Sequence, residues 1–247
     1  MVILFACLLV SMIPMLLIYY WFAHMYKDDR EHTKTCRKLI WKGVLCVLGI
    51  FVLDLTFSLL WSASGMAGRN AVVDALFKCF IINAFAEELV KLLNARSVYK
   101  KQSGSVSWLS IIIYTSVVAI GFALVEDVVY VFSTSPGQIL IRGITAGHLM
   151  YGLISGYYIG KGYKYGQKKH IALGMFLPWL LHGMYNFGLS DDLGIGEDLA
   201  AVFGITSVLI AALGVIYIII MLFKIRKWRD DPVYTEPMTL PTRAELK

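Results

Sequence analysis

Charged residues are scarce in this sequence. Asp, Glu, Lys and Arg make up 16% of the 247 residues, while 58% are hydrophobic. Soluble globular domains are about 45–50% apolar and about 25% charged, so the shortage of charge excludes an ordinary soluble enzyme. Because a membrane-spanning helix needs about 20 apolar residues, the chain has room for several spans and little else. We expect an integral membrane protein, with the lipid bilayer as its surroundings.

Several familiar site signatures are also missing. The four cysteines form no CxxC pair and show no metal-ligand spacing, which excludes a disulfide framework and a zinc knuckle. Neither HExxH nor GxSxG occurs, so a thermolysin-like site and a serine nucleophile are disfavoured. The formal net charge of +6 does not indicate a nucleic-acid partner, because the basic residues lie between apolar runs, where they set membrane orientation.

Apolar runs, in contrast, are abundant, and they predict an all-α, polytopic bundle of about seven transmembrane helices. The candidate spans are residues 2–26, 39–61, 71–99, 108–132, 138–160, 170–189 and 199–223. The first run has no preceding positive charge and no cleavage pattern, so we expect a retained helix rather than a signal peptide. Residues 1–223 are then a transmembrane domain, and the proline-containing residues 224–247 are a flexible basic cytoplasmic tail.

The basic residues indicate the orientation of these spans. All but three of the 23 lysines and arginines follow the first, third or fifth span or belong to the tail. Arg69 and Arg142 fall on the opposite side, and Lys78 lies within the third span. The positive-inside rule therefore predicts an N-terminus outside the cell and a C-terminus in the cytoplasm, which an odd number of spans requires.

Ionisable side chains within the spans are the first candidates for function, because they are costly in lipid and usually face a bundle interior. Those of the third to sixth spans are Glu87, Glu88, Lys91, Glu126, Asp127, His148 and His182, and Asn186 follows His182 by one helical turn. Lys91 can pair with either glutamate of the third span, since it lies three or four residues after them. We expect carboxylates, imidazoles and an amide from four helices at roughly one depth.

Structural interpretations compete with a functional one. A Glu–Lys pair near a helix end can be a solvated pair at the membrane interface, and a single membrane histidine can bond two helices together. Asp54 and the Asp74–Lys78 pair are expected to be structural. The alignment of polar groups from four separate helices favours a functional site for the remaining set.

Such a set suits the activation of water by either of two routes. One glutamate could take a proton from water, while His182 and Asn186 donate hydrogen bonds to a developing oxyanion. Alternatively, Glu88, Glu126, His148 and His182 could hold a zinc ion. The residues fit both the metal-free and the zinc-dependent route. The sequence therefore does not identify a cofactor, and zinc is the candidate.

Four short motifs, met in order along the chain, resemble the PrsW family of intramembrane proteases. They are "EELVK" (Glu87, Glu88, Lys91), "GFALVED" (Phe122, Glu126), the glycine-rich stretch around His148, and "PWLLHGMYNF" (His182, Asn186). The CAAX prenyl endopeptidases and abortive-infection-like membrane proteases share the paired glutamates but usually have histidine where Glu126 stands. Asn186 departs from members that have an acid there, and the tail is longer than is usual for the family.

The resemblance implies an intramembrane endopeptidase of the bacterial cytoplasmic membrane. Its substrate would be a single-span anti-sigma factor, whose first cleavage starts release of an extracytoplasmic-function sigma factor under stress. Carried over to matching positions, Glu87, Glu88 and His148 form the core catalytic set, and Glu126 and His182 support it. Lys91, Asn186 and Phe122 belong to the same motifs.

Three other functions remain open at this point. The same hydrolytic site could act on a CAAX or bacteriocin-related peptide. An ion-coupled transporter or proton channel could use the buried acids and histidines as a relay, and would give flux without peptide products. A non-catalytic scaffold would use them only to bond helices together.

Overall fold

The computed structural model describes residues 2–26, 29–131, 142–143, 145–190, 195–242 and 244–246, and its long regular elements are all helices. In chain order they are α1 (Val2–Ala23), α2 (Arg30–Ala63), α3 (Ala71–Leu76), a π-helix (Phe77–Phe85), α4 (Ala86–Tyr99), a 3-10 turn (Lys100–Gln102), α5 (Trp108–Val131), α6 (Gly147–Lys164), α7 (Lys168–Gly188), α8 (Glu197–Trp228) and α9 (Pro232–Thr235). The all-α prediction is confirmed.

Each predicted span overlaps a helix of the described chain. The third span, 71–99, corresponds to the uninterrupted run of α3, the π-helix and α4. The start of the fifth span, at 138–141, lies outside the described residues. Four described helices, α1, α2, α5 and α8, are long and apolar enough to cross a membrane. The total of seven spans and their orientation stay predictions.

The fifth span is not one regular helix through its middle. Ala146 has φ of +43°, the left-handed region that residues with a Cβ rarely adopt. The chain turns there, and α6 begins at Gly147. His148 is the second residue of α6, and because residues 138–141 lie outside the described chain, its place midway along the fifth span stays a prediction. A left-handed backbone at alanine carries no sequence signal.

Helix α5 is the centre of the bundle, packing against α1, α2, α4 and α6. Its approach to α6 depends on glycines spaced four residues apart, at Gly152, Gly156 and Gly160, which let two membrane helices come close. Because the two helices are this close, the Thr115 hydroxyl donates a hydrogen bond to the carbonyl oxygen of Gly152 at 2.9 Å. This packing fixes the position of α6, and with it His148.

Gly156→Ala is expected to lower the melting temperature of the purified protein in detergent. An added Cβ would lie 2.5 Å from the Ile112 Cα, and overpacking of this kind costs about 1–3 kcal/mol. Gly204→Ala on α8 is the matched control, because its added Cβ would meet only the Gly188 oxygen, at 3.7 Å. Equal melting temperatures for the two variants would contradict this account of the α5–α6 contact.

Helix α7 contains a proline, Pro178, which has no N–H to bond the carbonyl of Gly174 four residues earlier. Ser155 of α6 donates its hydroxyl hydrogen to that carbonyl oxygen at 2.7 Å. The proline therefore does not leave an unpaired polar group inside the bundle. Instead it leaves the Gly174 carbonyl as an acceptor that joins α7 to α6 about two turns before His182.

The segment predicted as a flexible tail is packed where the structure describes it. Helix α8 continues past Phe223 to Trp228, whose ring stacks on Tyr234 with centroids 4.1 Å apart. Tyr234 also contacts Trp108, at 4.6 Å between centroids, and Met238 forms a β-bridge with Val106. The sequence reading missed this because the three aromatic residues are far apart in the chain and show no periodicity.

Candidate active site

Four helices each contribute ionisable side chains to one buried cluster. Helix α4 supplies two glutamates and a lysine, α5 a glutamate, and α6 and α7 a histidine each. The cluster consists of Glu87, Glu88, Lys91, Glu126, His148 and His182, which the sequence singled out. One donor atom from each of Glu87, Glu88, His148 and His182 lies within 4.8 Å of the others, and all four residues are less than a tenth exposed.

Glu88 is fully engaged by its neighbours. Its Oε1 atom lies 2.6 Å from Lys91 Nζ and 3.0 Å from His182 Nδ1. The lysine lies one turn further along the same helix, so the pair needs no rearrangement to form. A carboxylate with two such donors is compensated in charge and held in orientation.

His148 is held between a cation and an anion. Its Nδ1 atom lies 3.0 Å from Lys91 Nζ, and its Nε2 atom lies 2.6 Å from Glu126 Oε2. Because an ammonium can only donate, Nδ1 accepts, and the imidazole carries its hydrogen on Nε2, which donates to Glu126. The two partners therefore fix both the tautomer and the orientation of the ring.

Glu87 is engaged less completely. Its Oε2 atom is buried and has no hydrogen-bond partner among the described residues. Three polar atoms surround it at longer range: Lys91 Nζ at 3.8 Å, His182 Nε2 at 3.9 Å and His148 Nε2 at 4.0 Å. These distances are too long for direct hydrogen bonds. A buried carboxylate oxygen of this kind needs a further partner, such as a water molecule, a metal ion or a substrate group.

Arg142 is a member of the site that the sequence analysis missed, because Arg142 was counted there only as a charge on the outer side. Its Nη2 atom donates to Glu126 Oε2 at 2.5 Å, and its Nε atom lies 3.8 Å from Asp127 Oδ1. The guanidinium also lies over the Tyr130 ring, 3.8 Å from its centroid. Two adjacent carboxylates in a membrane helix call for a cation, and that demand was the signal available in the sequence.

Asp127 points away from the centre of the cluster. Its Oδ2 atom accepts a hydrogen bond from the Ser11 hydroxyl of α1 at 3.2 Å. The expectation that at most one of the acids at 126 and 127 faces the centre is consistent with this arrangement. Through Asp127 and Arg142, α1 is connected to the carboxylate that holds His148.

Aromatic rings enclose the histidines. Phe122 meets the His148 ring edge-on at 4.9 Å, and the Lys91 ammonium lies 4.7 Å from the centre of the same phenyl ring. Tyr151, which the sequence reading did not single out, stacks on His182 at 4.9 Å with an angle of 16° between the ring planes. Rings packed this closely restrict the rotation of both imidazoles.

Asn186 and Asp74 are two other polar residues that the sequence drew attention to. Asn186 is half-buried and lies one turn beyond His182 on α7. Asp74 accepts hydrogen bonds from Trp61 Nε1 and the Gly68 N–H, both at 2.8 Å. Within the described chain Asp74 therefore bonds Trp61 of α2 and the loop residue Gly68 rather than Lys78.

The donor set fits a divalent metal ion. It combines carboxylate oxygens with imidazole nitrogens, which zinc accepts as ligands, and it includes the partnerless Oε2 atom of Glu87. The set of possible ligands drawn from the sequence had Glu126 in place of Glu87. In the structure Glu126 instead accepts from His148 and Arg142, the position of a carboxylate that orients a histidine ligand.

Comparison with known proteins adds an independent line of evidence. The model of a family described as PrsW family intramembrane metalloprotease matches residues 33–223. Protease PrsW of Clostridioides difficile (strain 630) is 28% identical over 189 residues, covering 72% of this chain and 77% of that protein. Protease PrsW of Shouchella clausii (strain KSM-K16) is 33% identical over 154 residues, covering 60% and 67%.

A third relative, Protease PrsW of Bacillus subtilis (strain 168), is 26% identical over 181 residues, covering 71% of this chain and 78% of that protein. No solved structure matches. The range matched by the family model contains every residue of the buried cluster, whereas α1 precedes it.

Proposed function

The chain belongs to the PrsW family of intramembrane metalloproteases, and we propose that its peptidase site is the cluster of Glu87, Glu88, His148 and His182. The observation that carries the proposal is the buried Glu87 Oε2 atom, which accepts no hydrogen bond from the described residues and lies beside three polar atoms at 3.8–4.0 Å. A cell-membrane peptidase of this family needs a place where water can be activated away from the lipid. The carboxylate, imidazole and ammonium groups around Glu87 Oε2 support the activation of water at this position.

Glu88, His148 and His182 would hold the metal; His148 would offer Nδ1, so Lys91, which donates to that atom in the structure, would give up this bond when the metal binds. Catalytic zinc sites commonly use three protein ligands, and two histidines with one glutamate are among the known sets. A zinc ion held there would supply Lewis-acid polarisation of the scissile carbonyl and of the attacking water. Glu126 would keep His148 in its tautomer by accepting from Nε2, as carboxylates do for histidine ligands.

Glu87 would act as the general base. It takes one proton from the water molecule while the water oxygen forms a bond to the carbonyl carbon. When the carbon–nitrogen bond breaks, Glu87 returns that proton to the leaving amine, so the hydrolysis balances without any further reactant. Glu88 is less suited to this role, because its Oε1 atom already accepts from Lys91 and His182.

Two further residues complete the proposed site. Lys91 offsets the charge of the paired glutamates, from which it lies 2.6 and 3.8 Å, and rests on the Phe122 ring. Asn186, half-buried and one turn beyond His182, would donate its amide hydrogen to the substrate carbonyl as the negative charge develops there.

The proposed substrate is a single-span anti-sigma factor, on the strength of the motif resemblance to the family. Seven spans, with the N-terminus outside and the C-terminus in the cytoplasm, are proposed from the charge distribution. Residues 1–223 are proposed as the protease domain. Trp228 stacks on Tyr234, which contacts Trp108 of α5, and Met238 bridges to Val106; these contacts support counting the tail up to Met238 as part of the same unit.

Reconstitution with defined substrates tests this function. The purified protein in liposomes is expected to cut a single-span anti-sigma factor, with products identified by mass, and to lose activity with a chelator until zinc is restored. A prenylated CAAX peptide in parallel tests the related endopeptidase activity. Proton flux without any peptide product would contradict the proposal and favour a transporter.

A further inference from the structure

A π-helix lies directly before the catalytic glutamates. It spans Phe77–Phe85, and α4 begins at Ala86, one residue before Glu87. A π-helix has a wider turn than an α-helix, and π-helical turns within α-helices are frequent at functional sites. Each residue in an α-helix advances by about 100°, so an extra residue in a turn rotates everything that follows. The π-helix therefore determines which way the two glutamates face.

A side chain from α7 holds this π-helix from outside. Trp179 donates its indole N–H to the Phe80 carbonyl oxygen at 2.7 Å. One turn later along α7 comes His182, which bonds Glu88. Helix α7 is thus bonded twice to the continuous run of the π-helix and α4. The indole bonds the π-helix outside the site, and one turn later the imidazole bonds Glu88 within the site.

The two segments also touch closely between these levels. Gly183 lies against the Phe80 ring, and any Cβ at that position would clash with the phenyl carbons. The approach of α7 to the π-helix thus depends on a glycine next to His182. On the other side, Ser155 holds α7 at the carbonyl freed by Pro178. Ser155 and Trp179 therefore bond α7 to two different neighbours within the two turns before His182.

We propose that Trp179 is a positioning residue, whose bond to the Phe80 carbonyl fixes the rotation of Glu87 and Glu88 relative to His182. The inference rests on the proposed function for its catalytic consequence. The inference also has a structural part, which does not depend on any reaction: Trp179 stabilises the π-helix next to the glutamates. Displacements of about 1 Å at a catalytic centre have large effects on rate, so loss of this bond acts on turnover rather than on substrate binding.

A second tryptophan gives a matched control. Trp61 lines the same apolar groove as Trp179 and Phe80, and it too donates its indole N–H, in this case to Asp74 Oδ1 at 2.8 Å. Trp61→Phe and Trp179→Phe remove the same donor from the same groove. They differ in whether the acceptor belongs to the π-helix.

Trp179→Phe is expected to lower kcat about tenfold with little change in KM, whereas Trp61→Phe keeps the wild-type kcat. Amide hydrogen exchange over residues 77–88 is expected to be faster in Trp179→Phe and unchanged in Trp61→Phe. Both variants are expected to retain similar melting temperatures, since each loses one hydrogen bond. Kinetics would be measured on the single-span substrate in liposomes, and exchange on the same preparations.

The two measurements separate failure of this inference from failure of the proposed function. Unchanged exchange over residues 77–88 in Trp179→Phe would overturn the inference whether or not the protein cleaves the substrate. Equal loss of kcat in the two variants would also overturn it. If the wild-type protein gives no product while exchange changes as expected, the proposed function fails and the stabilisation of the π-helix by Trp179 stands.

Discussion

Replacing Glu87 by glutamine is expected to abolish peptide cleavage while leaving the protein folded and inserted. General-base catalysis contributes about 10²–10⁴-fold to a rate, and the amide cannot take the proton from water. The stability of the protein is expected to hold or rise, because the Oε2 atom is buried without a hydrogen-bond partner among the described residues, and a neutral amide costs less to bury than a carboxylate that lacks hydrogen bonds.

Glu88→Gln serves as the comparison within the site. It is expected to lose activity too, but with a lower melting temperature, because Lys91 loses the anion that lies 2.6 Å from its ammonium. Glu31→Gln is the control, since Glu31 forms only an exposed pair with Lys34. Rates on the single-span substrate and melting curves would be collected for all three. A Glu87→Gln protein that cleaves at the wild-type rate would rule out Glu87 as the base.

The grouping of the polar side chains could be predicted from the sequence. Each of Glu88, Glu126, His148 and His182 is an expensive residue in a predicted span, and such residues face inward together. The structure brings them together, with Glu126 bonded to His148 and Glu88 to His182. The cost of burying charge in the membrane is enough to predict this grouping, without any knowledge of the packing.

The distinction between Glu87 and Glu88 could not be predicted. Spacing allows Lys91 to reach either residue, and a rotation of the helix exchanges their roles. The rotation depends on the π-helix at Phe77–Phe85, which is a property of the packed backbone. No residue pattern in "FKCFIINAF" differs from that of an ordinary apolar α-helix, so the choice becomes visible only in three dimensions.

The positions of Arg142 and His148 illustrate a second limit. Charge counting placed Arg142 on the outer side because the rule considers only sidedness along the chain. In the structure Ala146 has a left-handed backbone conformation, and Arg142 bonds the carboxylate that holds His148. The adjacent acids at 126 and 127 indicated that a cation was needed, but nothing in the composition around Ala146 identified Arg142 as that cation.

Arg142→Met is expected to lower both activity and stability, because it leaves Glu126 and Asp127 without their cation. Removing one partner of a buried ion pair costs about 3–5 kcal/mol, and loss of a group that orients a metal ligand costs about 10–100-fold in activity or metal affinity. Arg69→Met, at an exposed loop position, is the control and should change neither quantity. Cleavage rates, zinc affinity and melting temperature would be measured on both.

A double variant distinguishes an electrostatic role for Arg142 from simple packing. Adding Glu126→Gln to Arg142→Met removes a carboxylate that the single variant leaves uncompensated, so part of the lost stability is expected to return. Activity should not return, because a glutamine carbonyl is a weaker acceptor for His148 Nε2 than the carboxylate at 2.6 Å. If the arginine acted only by filling space, the second substitution would lower stability further. Recovery of stability without recovery of activity would identify Arg142 as the cation that keeps Glu126 ionised and directed at His148.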